Sequence, residues 1–408
     1  MKLTGKTPLA WKNLTHDWRR LAVSIAGVGF AVLLMFTQVG FRNALFDSQS
    51  NLIEKLDGQI FMISRAKFTL AAEKRFPLNR LYQVRTCEGV AGAYPVYTEL
   101  TTSVLRKVET GKGNRGYPIR SIGIHPDDPV FVIKGIQQQQ QELHQFGTAL
   151  FDRESKQKFD LEREKKALLA AEHAELAGKN LALIGTFQLG TDFAHDGNLV
   201  MSADSFGNYF PHRQRFGDPL SVVDIGVIKL TGAAAEHPEK VCQDIRKELG
   251  THNAKKHDPV SDVLVLTKAE FIDLEQNFWD ESTPIATIFR FGKIIGFIVG
   301  MVICYQVIYS DIADHMPEFA TLKAMGYPAA YFVKLVVVQA LLLSLVGFIP
   351  GTAVSVGIYE WLGGSTGLLM EMKQDGIMEV LLSTISMCIA SGMLALRKLL
   401  AADPASLF

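Results

Sequence analysis

Neither sign of charge predominates along this 408-residue chain, because 42 Lys and Arg offset 42 Asp and Glu. A protein that grips nucleic acid does so by neutralising phosphates with a basic stripe, so no nucleic-acid partner is expected. A phosphate-binding loop is lacking too. "GKT" at 5–7 has the ending of GxxxxGK[ST], but only four residues stand before Gly5, and neither the earlier Gly nor a preceding strand is there. The ten His show no HExxH or other close metal spacing. "HDG" (195–197) reads as a turn, with Gly197 supplying a positive φ. "GGSTG" (363–367) matches the GxSxG nucleophile pattern, but no strand leads into it and no His follows it. It too reads as a turn. The chain is therefore not expected to be an enzyme, nor to hold a metal or cofactor of its own.

Cysteine is scarce. Of the four, Cys304 and Cys388 fall in apolar runs, where a thiol serves as a small filler. Cys87 and Cys242 fall in a mixed segment where an oxidising compartment would permit a disulfide. Nothing in the sequence says whether they meet.

What the chain has in quantity is uncharged length. Its averages, 48% hydrophobic, 21% charged and a mean hydropathy of +0.14, suit a soluble protein but conceal a partition. Leu21–Phe41, Ile294–Ser310, Leu335–Tyr359 and Val380–Leu396 contain no charged side chain. Roughly 17–25 such residues cross a hydrocarbon core. Lipid offers the backbone no partner, so each must be a helix. The expected architecture is a membrane α-helical protein with four transmembrane helices and a large α+β extracytoplasmic domain inserted between helices 1 and 2.

The expected order is an amphipathic cytoplasmic helix (1–20), the first span (21–41), the inserted domain (42–284), the second span (285–310) and a cytoplasmic loop (311–334). The third span (335–359), a short outer loop (360–379), the fourth span (380–396) and a cytoplasmic tail (397–408) complete it. The first span is too long for a signal-peptide core and lacks an A-x-A site, so an uncleaved anchor is expected. Lys2, Lys6, Lys12, Arg19 and Arg20 precede it, Lys323 and Lys334 lie between spans two and three, and Arg397 and Lys398 follow span four. The outer loop has Lys373 against Glu360, Glu371, Asp375 and Glu379. That bias puts both termini inside. Trp11, Trp18, Trp279 and Trp361 lie near span ends, where indole rings sit at headgroups. Arg290 and Lys293 oppose the bias and are expected to snorkel.

Within the inserted domain, "QIFMIS" (59–64), "LALIGTF" (181–187), "NLVMS" (198–202), "IGVIKL" (225–230) and "DVLVLT" (262–267) read as strands. "HPEKVCQDIRKELG" (237–250) reads as a helix, which suggests a βαβ unit with its flanking strands. From Lys268 a helix leads toward the second span, with Pro284 as a kink point. The glutamine run at 137–141 and the charged stretch to about 178 read as a solvated helix or mobile insertion.

Between the second and third spans lies "DHMPEFATLKAMGYP" (314–328). Asp314 and Pro317 suit a helix start, Gly326 a left-handed cap, and Pro328 forbids continuation. Phe319, Leu322 and Gly326 share one face, and Glu318, Thr321 and Met325 the neighbouring one. So short a helix must lean on something. An interfacial linker and a helix that docks a separate cytoplasmic motor both fit these residues.

"DIADHMPEFATLKAMGYP" (311–328) resembles the cytoplasmic loop of MacB/FtsX-type ABC transporter permeases. The stretches 8–48, 187–202, 266–285 and 396–408 resemble the DevC-type branch, and the match weakens at 137–178. The resemblance implies a permease subunit of an ABC exporter in the bacterial inner membrane, working as a homodimer. ATP and Mg would be bound by a separate ABC ATPase. A periplasmic adaptor (membrane fusion) protein and a TolC-like outer-membrane channel would complete an export route for a glycolipid-like amphiphile. The residues it implies at the ATPase contact are Glu318, Thr321, Leu322, Lys323, Met325 and Gly326, with the 402–408 tail as a further contact. The same resemblance admits an FtsX or lipoprotein-release type of transmitter that does not itself conduct substrate.

Overall fold

The computed structural model describes residues 18–107, 115–159, 172–192, 194–213, 217–250, 262–366 and 370–400. The amphipathic segment before Trp18 and the 402–408 tail lie outside them. The described chain forms two compact units: a helical one drawn from residues up to 44, 284–364 and 370 onward, and a sheet-rich head built from 45–283.

The helical unit contains the four long apolar helices Trp18–Lys55, Pro284–Asp314, Ala329–Thr366 and Gln374–Leu400. Each has a stretch long and apolar enough to cross a membrane. They outrun the uncharged sequences because helix geometry tolerates charge at its ends. The first continues through Arg42, Asp47 and Glu54, and its part from residue 45 onward belongs to the head. "GGST" (363–366) is the last turn of the third long helix rather than a loop turn.

Helices pack closely here where glycine allows it. A Cβ on Gly351 would stand 2.8 Å from the Gly29 carbonyl, and one on Gly300 would run into the Met387 sulfur and the Ala31 methyl. Hydroxyls donate back into their own helices, Thr37 to the Leu33 carbonyl, Thr352 to Phe348 and Thr384 to Val380, each at 2.8 Å. The hydrogens of these three hydroxyls are thereby satisfied within the helix rather than left facing hydrocarbon. Ser391 reaches across to the Met301 carbonyl at 2.7 Å. Cys304 and Cys388 are buried free thiols with sulfurs 3.3 Å apart. Lys293 is paired with Glu379 on the last helix, where snorkelling had been expected.

Among the described residues the head is organised on thirteen strands, eleven of them in one mixed sheet. In chain order they are β1 (Ile60–Ser64), β2 (Phe76–Pro77), β3 (Val90–Glu99), β4 (Val104–Lys107), β5 (Tyr117–Pro118), β6 (Arg120–Ile124) and β7 (Thr148–Asp152). The remainder are β8 (Glu172–Leu176), β9 (Lys179–Phe187), β10 (Asn198–Ser202), β11 (Val222–Val223), β12 (Ile225–Leu230) and β13 (Val263–Thr267). The large sheet runs β13-β1-β12-β3-β6-β10-β7-β9-β8-β4-β5, and β2 pairs with β11 apart from it. Two apolar clusters exploit the pleat. Ile60, Met62, Leu199 and Met201 join one, while Phe61, Ile63 and Val200 join the other. Burial on both faces is why these strands read as unbroken apolar runs rather than alternating ones.

The expected βαβ unit is present in split form. β12, the helix Pro238–Glu248 and β13 follow in sequence, but β1 lies between the two strands and antiparallel to both. The stretch at 137–178 is not one solvated helix: it supplies the buried β7 and, beyond residue 171, β8. Its most charged part, 160–171, lies outside the described residues. The helix from Lys268 ends at Glu281 instead of running on, and Pro284 opens the next one, since proline has no amide to lose at a first turn. Thr267 and Glu270 form a reciprocal capping box at its start.

Two side chains depart from their sequence reading. Trp279 is buried and donates to the Glu275 carboxylate at 2.9 Å, so it is not an interfacial ring. Gly197 does not take a positive φ, whereas Gly190 does, at +102°. Gly197 is demanded by space instead, because a Cβ there would lie 2.6 Å from the Ser155 hydroxyl. Cys87 and Cys242 are free, and burial pushes their thiols up to about 12 and about 11, which leaves them inert.

Candidate functional site

The loop between the second and third long helices holds all six residues expected at a motor contact. The second-span helix runs through Asp314, so Asp314 ends that helix rather than starting the next. His315 occupies the N-cap position, and a nine-residue helix follows, Met316–Ala324, with proline in its first turn. It closes with a Schellman cap: the Gly326 amide bonds to the Lys323 carbonyl at 3.1 Å, and the Tyr327 amide to Leu322 at 3.2 Å. Gly326 has φ +87°, a conformation costly for any residue with a Cβ.

This helix has an inside and an outside. Phe319 is buried, its ring edge-on to Phe332 of the third-span helix at 5.9 Å, while Met316 and Leu322 pack partly against the same apolar cluster. Glu318, Thr321, Lys323 and Met325 are exposed, and Met325 is 63% so. The six residues therefore divide. Glu318, Thr321, Lys323 and Met325 form an outward surface, Leu322 anchors the helix from within, and Gly326 sets its stop. The Thr321 hydroxyl donates to the Pro317 carbonyl at 2.8 Å, leaving its methyl outward.

Sequence reasoning did not reach the polar residues at the foot of this helix. Asp311 is buried, accepts a hydrogen bond from Gln339 of the third-span helix, and lies 3.9 Å from His315 Nε2. His315 Nδ1 is 3.5 Å from the Glu318 carboxylate. The available signal was a carboxylate one position beyond an otherwise uncharged run.

In the head, the 187–202 segment folds around buried charge. Arg120 on β6 contacts Asp192 at 2.9 Å and Asn198 at 2.7 Å, and Asn198 donates to Asp152 at 2.7 Å. His195, expected only in a turn, has Nδ1 2.7 Å from Asp192. Burial alone would raise the pKa of Asp192, but Arg120 and His195 outweigh it and hold it below the usual carboxylate range. Burial pushes Asp152 and Glu275 the other way, upward. Glu275 receives the Thr69 hydroxyl and the Leu70 amide at 2.7 Å each. These bonds fasten loops to strands and, at Glu275, to the helix Lys268–Glu281, and among the described residues no group of His, Cys, Asp and Glu is arranged to hold a metal ion.

Among the described residues, four long apolar helices, a sheet-rich head between the first two, and a short capped helix between the second and third define a polytopic membrane protein. Residues 291–404 match the family described as FtsX-like permease C-terminal. Among solved structures, the periplasmic region of MacB from Actinobacillus actinomycetemcomitans is similar at 10% identity and TM-score 0.33, covering 53% of this chain and 92% of that one. The extracellular domain of the noncanonic ABC-type transporter YknZ from Gram-positive bacteria is similar at 10% identity and TM-score 0.33, covering 51% and 99%. No curated protein sequence matches.

Proposed function

We propose that this chain is the membrane subunit of an ABC exporter, with ATP hydrolysed by a separate protein that docks on the Met316–Ala324 helix. The observation that carries the reading is the division of that helix into a seated face (Phe319, Leu322) and an outward one (Glu318, Thr321, Lys323, Met325) within the FtsX-like portion. The loop and both termini lie in the cytoplasm, and the head lies in the periplasm. There it engages an adaptor protein and, through it, a TolC-like channel. A second copy of the chain completes the transporter, and a glycolipid-like amphiphile is the cargo class.

The test is purification of the tagged chain from native membranes in mild detergent. An ATPase is expected to accompany it, and Glu318→Lys or Met325→Asp should cut its recovery by about ten-fold, the size of a lost hot-spot contact. Recovery unchanged in both variants, at equal membrane abundance, overturns the docking surface. Leu322→Asp is the poorer probe, because it would unseat the helix itself. An FtsX-type transmitter shares this inner loop, and amphiphile retained in the purified complex would favour export over it.

A further inference from the structure

We propose that Asp311, Gln339 and His315 form a polar latch that fixes the docking helix to the second- and third-span helices. They act as positioning residues through which a load on Glu318 reaches both spans. This rests on the docking reading above and adds the route by which docking is felt.

The apolar seat cannot do this alone. Burial of Phe319 against Phe332 is non-directional, and a nine-residue helix has little stability of its own. A carboxylate in an apolar bundle is costly unless paired, yet Asp311 is only 8% exposed. Its partners come from two directions. The Gln339 amide, itself buried, donates from the third-span helix, and the His315 ring faces it from the joint between helices.

The arrangement brackets the break in the chain. Asp311 lies on the last turn of the second-span helix, His315 sits at the break, and Glu318 lies on the first turn of the docking helix. One imidazole thus stands between two carboxylates, 3.9 Å from one and 3.5 Å from the other. The rings and the backbone let the docking helix rest on the bundle. The amide ties the second- and third-span helices to each other, and the imidazole carries that tie across the joint to the docking helix. A cationic group that engages Glu318 from outside takes away one of the two carboxylates facing His315, so docking is sensed at Asp311 without any contact there.

The experiment uses the full chain, with whatever ATPase accompanies it, in wild type and in Asp311→Asn and His315→Gln. Three quantities are read: ATPase recovery, ATP hydrolysis by the recovered complex, and amide hydrogen exchange of residues 316–326 in the full chain alone. Recovery should stay within about two-fold, because the outward face is intact. Exchange across 316–326 should quicken by about ten-fold in Asp311→Asn and less in His315→Gln. Hydrolysis should fall by about five-fold or more in Asp311→Asn. Asp311→Glu, which keeps the carboxylate, should restore both readings, as a mere loss of folding would not. Wild-type exchange in both variants overturns the latch. Faster exchange with wild-type hydrolysis overturns its transmitting role. If no ATPase accompanies even the wild type, the docking reading falls, while the exchange measurement still decides the latch.

Discussion

The head and the helical unit solve the same problem, holding polar groups away from water, by opposite means. In the head, charges are buried whole and paired: Arg213 and Asp224 are both fully covered, Glu99 lies 3.5 Å from Arg213, and Arg75 closes the group at 2.9 Å from Glu99. In the helical unit, hydroxyls bond within their own helix, the Ser391 and Tyr359 hydroxyls cross to carbonyls of neighbouring helices, and a few ion or amide pairs lie near helix ends. Close contact comes from Gly29, Gly300 and Gly351. The difference follows from the solvent. Sheets in water gain from apolar burial and can bear the cost of a paired charge, whereas helices in lipid have no such drive and associate through close backbone approach.

The comparison can be broken most forcefully in the head. Arg213→Met leaves Asp224 and Glu99 buried with Arg75 as their one remaining cation in this group, and should cost about 3–5 kcal/mol of head stability, read as a lowered thermal midpoint of the full chain in detergent. Asp192→Asn comes next, with an effect that depends on pH. Because its folded value lies below the ordinary 3.8, ionised Asp192 contributes stability that is present above that value and lost as the pH falls through the folded one. The variant should therefore be less stable than wild type near neutrality, by about 3 kcal/mol, and the gap should close as the solution is acidified. A gap that is constant with pH would rule out the ionic account.

In the helical unit, Gly351→Val should force the third-span helix off Gly29 and Val32 at about 1–3 kcal/mol. It should lower the detergent thermal midpoint while leaving the acid behaviour of the head unchanged. Smallest is Gly326→Ala, which forces a Cβ into a left-handed residue at about 1–2 kcal/mol. Its signature is local: hydrogen exchange should quicken at Leu322–Tyr327, with the global midpoint little moved.

Legibility in the sequence tracks the same divide. The long helices were readable because lipid forbids charge, which leaves four uncharged runs, and the short helix was readable from Pro317 and Gly326. Strands buried on both faces, such as β1 and β10, were readable as apolar runs. β6 and β7, of the same length, were not, since "RSIGI" and "TALFD" mix charged and small residues with apolar ones, and β7 follows a glutamine run that suggests solvent. The pairing order was beyond reach, because β1 finds its neighbours in β12 and β13 far along the chain. The buried ion groups were hidden for that reason too: Arg120 and Asp192 are unremarkable until the sheet brings them together. In the loop between the second and third long helices, helical spacing separated Glu318, Thr321 and Met325 from the face of Phe319 and Leu322. Asp311, His315 and Gln339 were not foreseen, because they belong to three different helices or joints.

The place of β1 between β12 and β13 carries one more implication. β1 follows the first-span helix and β13 leads into the helix before the second, and the two are zipped over five residue pairs from Ile60–Thr267 to Ser64–Val263. Both legs of the chain thus leave from one end of a single ladder. A slip of one residue in that ladder would turn every apolar side chain of β1 from one apolar cluster to the other, so the five rungs hold a single register.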